Sequence, residues 1–324
     1  MIGDNVAISQ ELKIVTGNSH RSLANEICKY LDTTLSDCEV FKFSNDNIFV
    51  KYNENIREKD VFIIQSISTP VSDHLMELLI MIDAAKRASA GRITAVMPYF
   101  AYGRSDKKDQ PRVPITARLI ANLITVAGAD RVLTMDLHAG QIQGFFNIPV
   151  DELSAVPILA QDFKENGPTN SVVAATDVGD AKRARNTADI LKMPIAIVEK
   201  QRLGNEEKIG SGTLIGKVKG LNSIIIDDEI GTGGTVISAA NILKENGAKD
   251  IYCYVTHPVL SGNAAKLISD SVIKNLVITN TLPITKKQTS DKLRTVSIAN
   301  LFGEAIFRIH NGLSIGAMFN QKII

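Results

Sequence analysis

Asp227 and Asp228 stand side by side at the end of an apolar run, and Gly231-Thr232-Gly233-Gly234-Thr235 follows closely after them. Glycines let a backbone come close to a phosphate, and the N–H groups that open a helix donate to it with help from the helix dipole. Thr232 and Thr235 add hydroxyl donors, so no lysine is needed inside the loop. Carboxylates cannot hold a phosphate, but they accept from sugar hydroxyls or bind a divalent metal. The combination reads as a site for a phosphorylated sugar with neighbouring hydroxyls, such as ribose 5-phosphate. Two commoner phosphate loops are excluded. A P-loop needs GxxxxGK[ST], and Gly216-Lys217 is followed by Val218; a dinucleotide fingerprint from Gly231 needs glycine where Val236 stands.

Other chemistry-bearing residues cluster after apolar runs. His138 lies in Asp136-Leu137-His138-Ala139-Gly140 after RVLTM, and Asp177 opens DVGDAKRAR. On residue type alone, such a histidine is as often a cap or core residue as a ligand. Lys200 and Arg202 fall in EKQRLGNEEK, which by itself reads as a solvated charged face. Arg104-Ser105-Asp106 sits in a long polar loop, a kind of segment that is usually functional or disordered.

The elements that must position these residues are short β-branched runs separated by helix-length stretches. The runs are LKIVTG, DVFIIQS, GRITAVMPYF and DRVLTMD, then NSVVAATD, MPIAIVEK, NSIIIDD, DIYCYVTH and KNLVITN. Helices are expected over His74–Ser89 and Thr235–Ala248, the second with Val236, Ala239, Ala240 and Leu243 at helical spacing and Asn246-Gly247 as its stop. Continuous apolar strands alternating with helices imply parallel sheets covered on both faces, and hence an α/β protein of two similar doubly wound domains. Their polar tips are where open α/β sheets bind ligands. The prolines and lost periodicity of Ile148–Val156 suggest domains of 1–150 and 151–324, with the last stretch of about 20 residues free to pack on either.

Composition bounds the reading further. Hydrophobic residues make up 44% and charged residues 22% of the 324, which suits a globular protein able to bury a core. A net charge of +1 gives no reason to expect nucleic acid or an anionic membrane as partner, so anions must be held by local clusters. Cys28, Cys38 and Cys253 are widely spaced and fit reduced thiols, and no signal-like or membrane-length apolar run occurs, so a cytoplasmic protein is expected.

The acid–glycine loop resembles the signature of the type I phosphoribosyltransferase fold, in which two acids contact ribose hydroxyls. It does not stand alone. GNSH, IIQSISTPVSDHLMELLIMIDAAKRASA, MPYFAYGRSDKK, PITARLIANLI, DLHAGQIQGFFNIPVD, KRAR and VTHPVLSG occur in order with it between about Lys13 and Phe319. Together they closely resemble the ribose-phosphate diphosphokinase family, the phosphoribosyl pyrophosphate synthetases. The resemblance implies Mg²⁺-dependent transfer of the diphosphoryl group of ATP to the 1-hydroxyl of ribose 5-phosphate, and assembly as hexamers built of dimers.

It also implies roles. Ribose 5-phosphate is expected at Asp227, Asp228, Gly231, Thr232, Gly233, Gly234, Thr235 and Arg202. Lys200 and Arg202 are expected to serve catalysis, and His138 with Asp177 to hold the metal. ATP is expected at Arg104, Ser105, His138 and the segment Phe43, Asn45, Asp46 and Asn47. The chain departs from its relatives at several of these places. Where they carry Phe-Ser-Asp-Gly-Glu it has Phe43-Ser44-Asn45-Asp46-Asn47, and Gln201, Ser105, Asp180 and Gly231 also replace the usual residues. Two alternatives follow: a non-catalytic subunit of such a synthase, or the same reaction with another nucleotide donor. A base-transferring phosphoribosyltransferase would share the sugar loop but leave the remaining motifs unused.

Overall fold

The computed structural model describes residues 11–200 and 212–320. They gather into two compact units, one running to Leu153 and resuming at Ala299, the other spanning Ser154–Ile298. In the first, β1 (Leu12–Thr16) leads to α1 (Arg21–Tyr30), a hairpin of β2 (Cys38–Lys42) and β3 (Ile48–Tyr52), β4 (Asp60–Ile64), α2 (Val71–Arg87), β5 (Arg92–Met97), α3 (Thr116–Ala127), β6 (Arg131–Met135) and β7 (Val150–Leu153). A five-stranded, wholly parallel sheet runs β1-β4-β5-β6-β7, and β2 with β3 forms a separate antiparallel ribbon. Val15, Val61, Ile63, Ala95 and Val132 share one core with Leu78 and Met81 of α2 and Ala121 and Ile124 of α3. The alternate residues Ile14, Phe62, Ile64, Val96 and Leu133 are equally buried and point to the other face. Burial on both faces is why these strands read as unbroken apolar runs.

The second unit contains α4 (Val156–Asn166), β8 (Ser171–Ala175), α5 (Ala181–Leu191), β9 (Ile195–Lys200), β10 (Gly212–Ile215), β11 (Asn222–Ile230), α6 (Gly234–Glu245), β12 (Ile251–Pro258), α7 (Ala264–Ser269), β13 (Ile273–Thr279) and β14 (Leu293–Val296). Its seven strands run β10-β9-β8-β11-β12-β13-β14, parallel except for β10 against β9. Chain order reverses between β8 and β11, which makes the crevice above those two tips a topological switch point.

α8 (Ala299–His310) returns to the first unit and lies against α1. A Cβ on Gly303 would sit 2.4 Å from the Tyr30 ring, so glycine lets the helices meet there. The Tyr30 hydroxyl donates to Glu304 at 2.8 Å. Buried Asp60 takes Arg92 in a forked pair and also meets the His310 ring at 2.8 Å.

The α/β class with parallel sheets holds in both units, and all nine expected runs are strands. β2, β3, β7, β10 and β14 are additional. Among the described residues no helix is long and apolar enough to cross a membrane.

Candidate active site

The loops after β8 and β11 meet at the switch point of the second unit. Asp227 and Asp228 lie in the last half of β11, both nearly inaccessible, and Gly233 turns the chain into α6 with φ +85°. That left-handed conformation favours glycine. No side chain caps α6, so its first turn offers backbone donors beside the exposed Thr232, Gly234 and Thr235. The loop after β12 backs this turn: Ser261 N–H donates to Gly231 O, and Leu260 N–H to Ile230 O, each at 2.9 Å. VTHPVLSG thus supports the glycine loop from behind.

From β8, Thr176 and Asp180 reach the same place. The buried Thr176 hydroxyl lies 2.7 Å from Asp180 Oδ2 and 3.4 Å from Asp227 Oδ2, so its one proton favours Asp180. Asp180 N–H in turn donates to Asp177 Oδ1 at 3.1 Å, leaving exposed Asp177 at the tip. One carboxylate oxygen from each of Asp180, Asp227 and Asp228 lies within 4.8 Å of the others. Burial, with Asp180 beside it, pushes the Asp227 carboxyl well above the ordinary range. Burial also raises Asp180, against the Thr176 hydrogen bond. Arg183 faces Asp228 at 3.9 Å. Oxygen donors so close together fit a hard divalent cation such as Mg²⁺.

In the first unit, the tips of β5 and β6 bring together the Arg104 loop and His138. A Cβ on Gly103 would lie 3.2 Å from His138 Cβ, and Gln141 donates to Asp106 at 2.9 Å. Arg104 and His138 are exposed. Ser105 is held locally, its hydroxyl 3.2 Å from Thr116 Oγ1 at the start of α3. Phe43, Asn45, Asp46 and Asn47 form the β2–β3 turn. Asp46 has φ +64°, and Asn45 Oδ1 accepts Asn47 N–H at 3.2 Å. Phe43 is 49% exposed and packs edge-on against Phe41 and Phe49.

The candidate residues therefore fall into groups. Asp177, Asp227, Asp228 and the glycine loop converge in the second unit, whereas Arg104, Ser105 and His138 share one region of the first. Lys200 is the last residue of β9, paired in register with Gly212. Arg202 lies outside the described residues. Thr176, Arg183 and Ser261 are supporting residues to which the sequence reading gave no role, although KRAR and VTHPVLSG contain the last two, because Asp227, Asp228 and Gly231, which they meet, are distant in sequence.

Comparison with known proteins bears on the whole chain. Residues 12–128 match the family described as the N-terminal domain of ribose phosphate pyrophosphokinase, and residues 206–320 the phosphoribosyl synthetase-associated domain. The chain is 51% identical over 313 residues to the ribose-phosphate pyrophosphokinase of Rhizobium meliloti (strain 1021), covering 95% of this chain and 100% of that one. It is equally 51% identical over 315 residues to that of Clostridium tetani, covering 96% and 98% respectively. The crystal structure of phosphoribosylpyrophosphate synthetase from Mycobacterium smegmatis superposes with a TM-score of 0.89 at 40% identity, over 94% of this chain and 100% of that chain.

Proposed function

The chain belongs to the ribose-phosphate pyrophosphokinase family, and from that premise we propose how its own residues divide the work. The reaction passes the diphosphoryl group of ATP to the 1-hydroxyl of ribose 5-phosphate and yields phosphoribosyl pyrophosphate and AMP. The sugar 1-hydroxyl oxygen forms a bond to the β-phosphorus and releases its proton to water, and the bond from that phosphorus to the bridging α,β oxygen breaks, with the bridging oxygen leaving on AMP.

The 5-phosphate is received by the N–H groups of Gly231–Thr235, where the start of α6 favours an anion. Asp227 and Asp228 accept from the ribose hydroxyls, which orients the 1-hydroxyl toward the incoming phosphorus. The observation that carries this reading is the pairing of two buried acids with an uncapped, glycine-led helix start at the switch point. Phe43, Asn45, Asp46, Asn47, Arg104, Ser105 and His138 take ATP, Phe43 offering an aromatic face to the base. Lys200 and Arg202 stabilise charge on the transferred group, which with alignment supplies most of the catalysis in phosphoryl transfer. Mg²⁺ would be held by His138 on the ATP side and by Asp177 in the second unit, and would neutralise phosphate charge. The clustered oxygen donors of Asp180, Asp227 and Asp228 would also suit a divalent ion within the second unit. We further propose a cytoplasmic homo-oligomer, a hexamer of dimers, with no nucleic-acid or membrane partner; the free thiols of Cys28, Cys38 and Cys253 accord with a reducing compartment.

³¹P NMR of the protein with Mg²⁺, ATP and ribose 5-phosphate tests the assignment. AMP and a 1-diphosphate sugar should appear, and Lys200→Ala should slow them by about 10²- to 10³-fold. An unimpaired Lys200→Ala variant would remove that residue from the catalytic set.

A further inference from the structure

The turn that presents His138 is held in an unusual way. In register with β7, β6 pairs Thr134 with Glu152 and Met135 with Leu153. Asp136 still donates its N–H to Leu153 O at 2.9 Å, but its φ of +37° then swings the chain out of the ladder. For a residue other than glycine this conformation is strained and persists only where its surroundings impose it. The next N–H, that of buried Leu137, finds no strand partner in that direction and is taken by Glu152 Oε1 at 2.8 Å. The other oxygen of the same carboxylate accepts the Gln143 side-chain amide. One carboxylate thus pins the backbone just before His138 and the short helical turn just after it. Gln141 ties that turn to Asp106, in the loop that carries Arg104.

We propose that Glu152 is a positioning residue for the ATP side of the reaction: it fixes the Asp136–Gln143 loop so that His138 meets its ligand in one geometry. The proposal rests on His138 being an ATP or metal contact. Glu152 does not touch the reactants; it acts through the backbone, and a supporting residue of this kind typically accounts for about 10- to 100-fold in affinity or activity.

The test uses the full-length protein and four variants: Glu152→Ala, Glu152→Gln, His138→Ala and the Glu152→Ala/His138→Ala double variant. Steady-state rates are measured with ATP and with ribose 5-phosphate as the varied substrate. Calorimetry measures binding of an ATP analogue with a methylene bridge between its α and β phosphorus atoms. Glu152→Ala should raise the KM for ATP and weaken analogue binding by about 10- to 100-fold, with the KM for ribose 5-phosphate changed by less than about 2-fold. Glu152→Gln should recover most of the loss, because an amide oxygen still accepts from Leu137. The double variant should be no worse than His138→Ala, since both changes remove one function. Thermal melting reports whether each variant folds. Gln143→Ala, at an exposed position, loosens the same clamp without orphaning a backbone N–H and should raise the same KM by about 2- to 10-fold. The proposal is overturned if losses in the double variant multiply, if Glu152→Gln is as impaired as Glu152→Ala, or if neither Glu152→Ala nor Gln143→Ala alters ATP binding. An unimpaired His138→Ala variant would overturn both this proposal and the role of His138; a normal Glu152→Ala variant beside an impaired His138→Ala variant would overturn the proposal alone.

Discussion

Asp227 carries opposing demands. In its proposed role its carboxylate is charged and accepts strongly from ribose hydroxyls, yet it is 6% exposed and has Asp180 beside it, so its folded pKa lies well above the ordinary value. A group of this kind still holds its proton in the folded protein after the unfolded chain has released it. Between the ordinary carboxylate value and the raised one, stability of the ligand-free protein therefore falls as pH rises; below that window both states are protonated and the group contributes nothing. Asp227→Asn should flatten this dependence and raise the melting temperature at neutral pH, by about 2–4 °C for each kcal/mol of penalty removed. The same variant should lose ribose 5-phosphate binding. Melting curves from pH 4 to 8 check the first expectation and calorimetry the second; a lower melting temperature at every pH would mean that the charged form is compensated by its neighbours. Asp227, Asp228 and the glycines were legible as a unit because they are contiguous. Thr176 and Glu152 were not, since Thr176 links Asp180 to Asp227 of the neighbouring β11, Glu152 reaches the turn that follows the neighbouring β6, and only the sheet brings these groups together.

At the scale of elements, the legible strands were those buried on both faces, where apolar residues run without a break. The missed ones are short and half-exposed: β3 and β14 show little burial, and β7 reads Val-Asp-Glu-Leu. Such strands lie at a sheet edge or in the separate ribbon, where pairing rather than burial defines them. The helix starting at Gly234 was legible from its spacing, but what its first turn is for depends on what surrounds it. A Cβ at Gly234 would meet only Thr232 Oγ1, at 3.9 Å, so the fold itself leaves room for a side chain there. Gly234→Asp would place a carboxylate at the positive end of α6, which favours the helix by about 0.3–1 kcal/mol. It would also occupy the donors proposed to receive the 5-phosphate. The melting temperature should therefore hold or rise while the KM for ribose 5-phosphate rises by at least about 10-fold, a loss of about 1.4 kcal/mol in binding. A variant that is destabilised but binds normally would assign the glycine to folding instead.

For the molecule as a whole, the two units differ in how the chain builds them. The second is one contiguous stretch, Ser154–Ile298, with its own core spanning β8 to β13. The first is completed only when α8 returns from the far end of the chain and lays Phe302, Ile306 and Ile309 into it, all essentially inaccessible. Burying three such side chains contributes about 5–9 kcal/mol at about 1.5–3 each. That is comparable to the entire net stability of a typical domain, about 5–15 kcal/mol. Removing α8 would also leave the Asp60–Arg92 pair without His310 and without Ile309 O, which accepts from Arg92 at 3.1 Å. The fragment 154–298 should therefore unfold in a single cooperative thermal transition, whereas 1–153 should show none. Joining 1–153 to 299–324 through a flexible linker should restore a transition, and adding Phe302→Ala to that fusion should abolish it or lower it sharply, since such a truncation costs about 3–5 kcal/mol. Calorimetry of the four fragments decides the matter. A cooperative transition in 1–153 alone would make α8 a dispensable cover, and its loss in 154–298 would mean that the second core depends on the first.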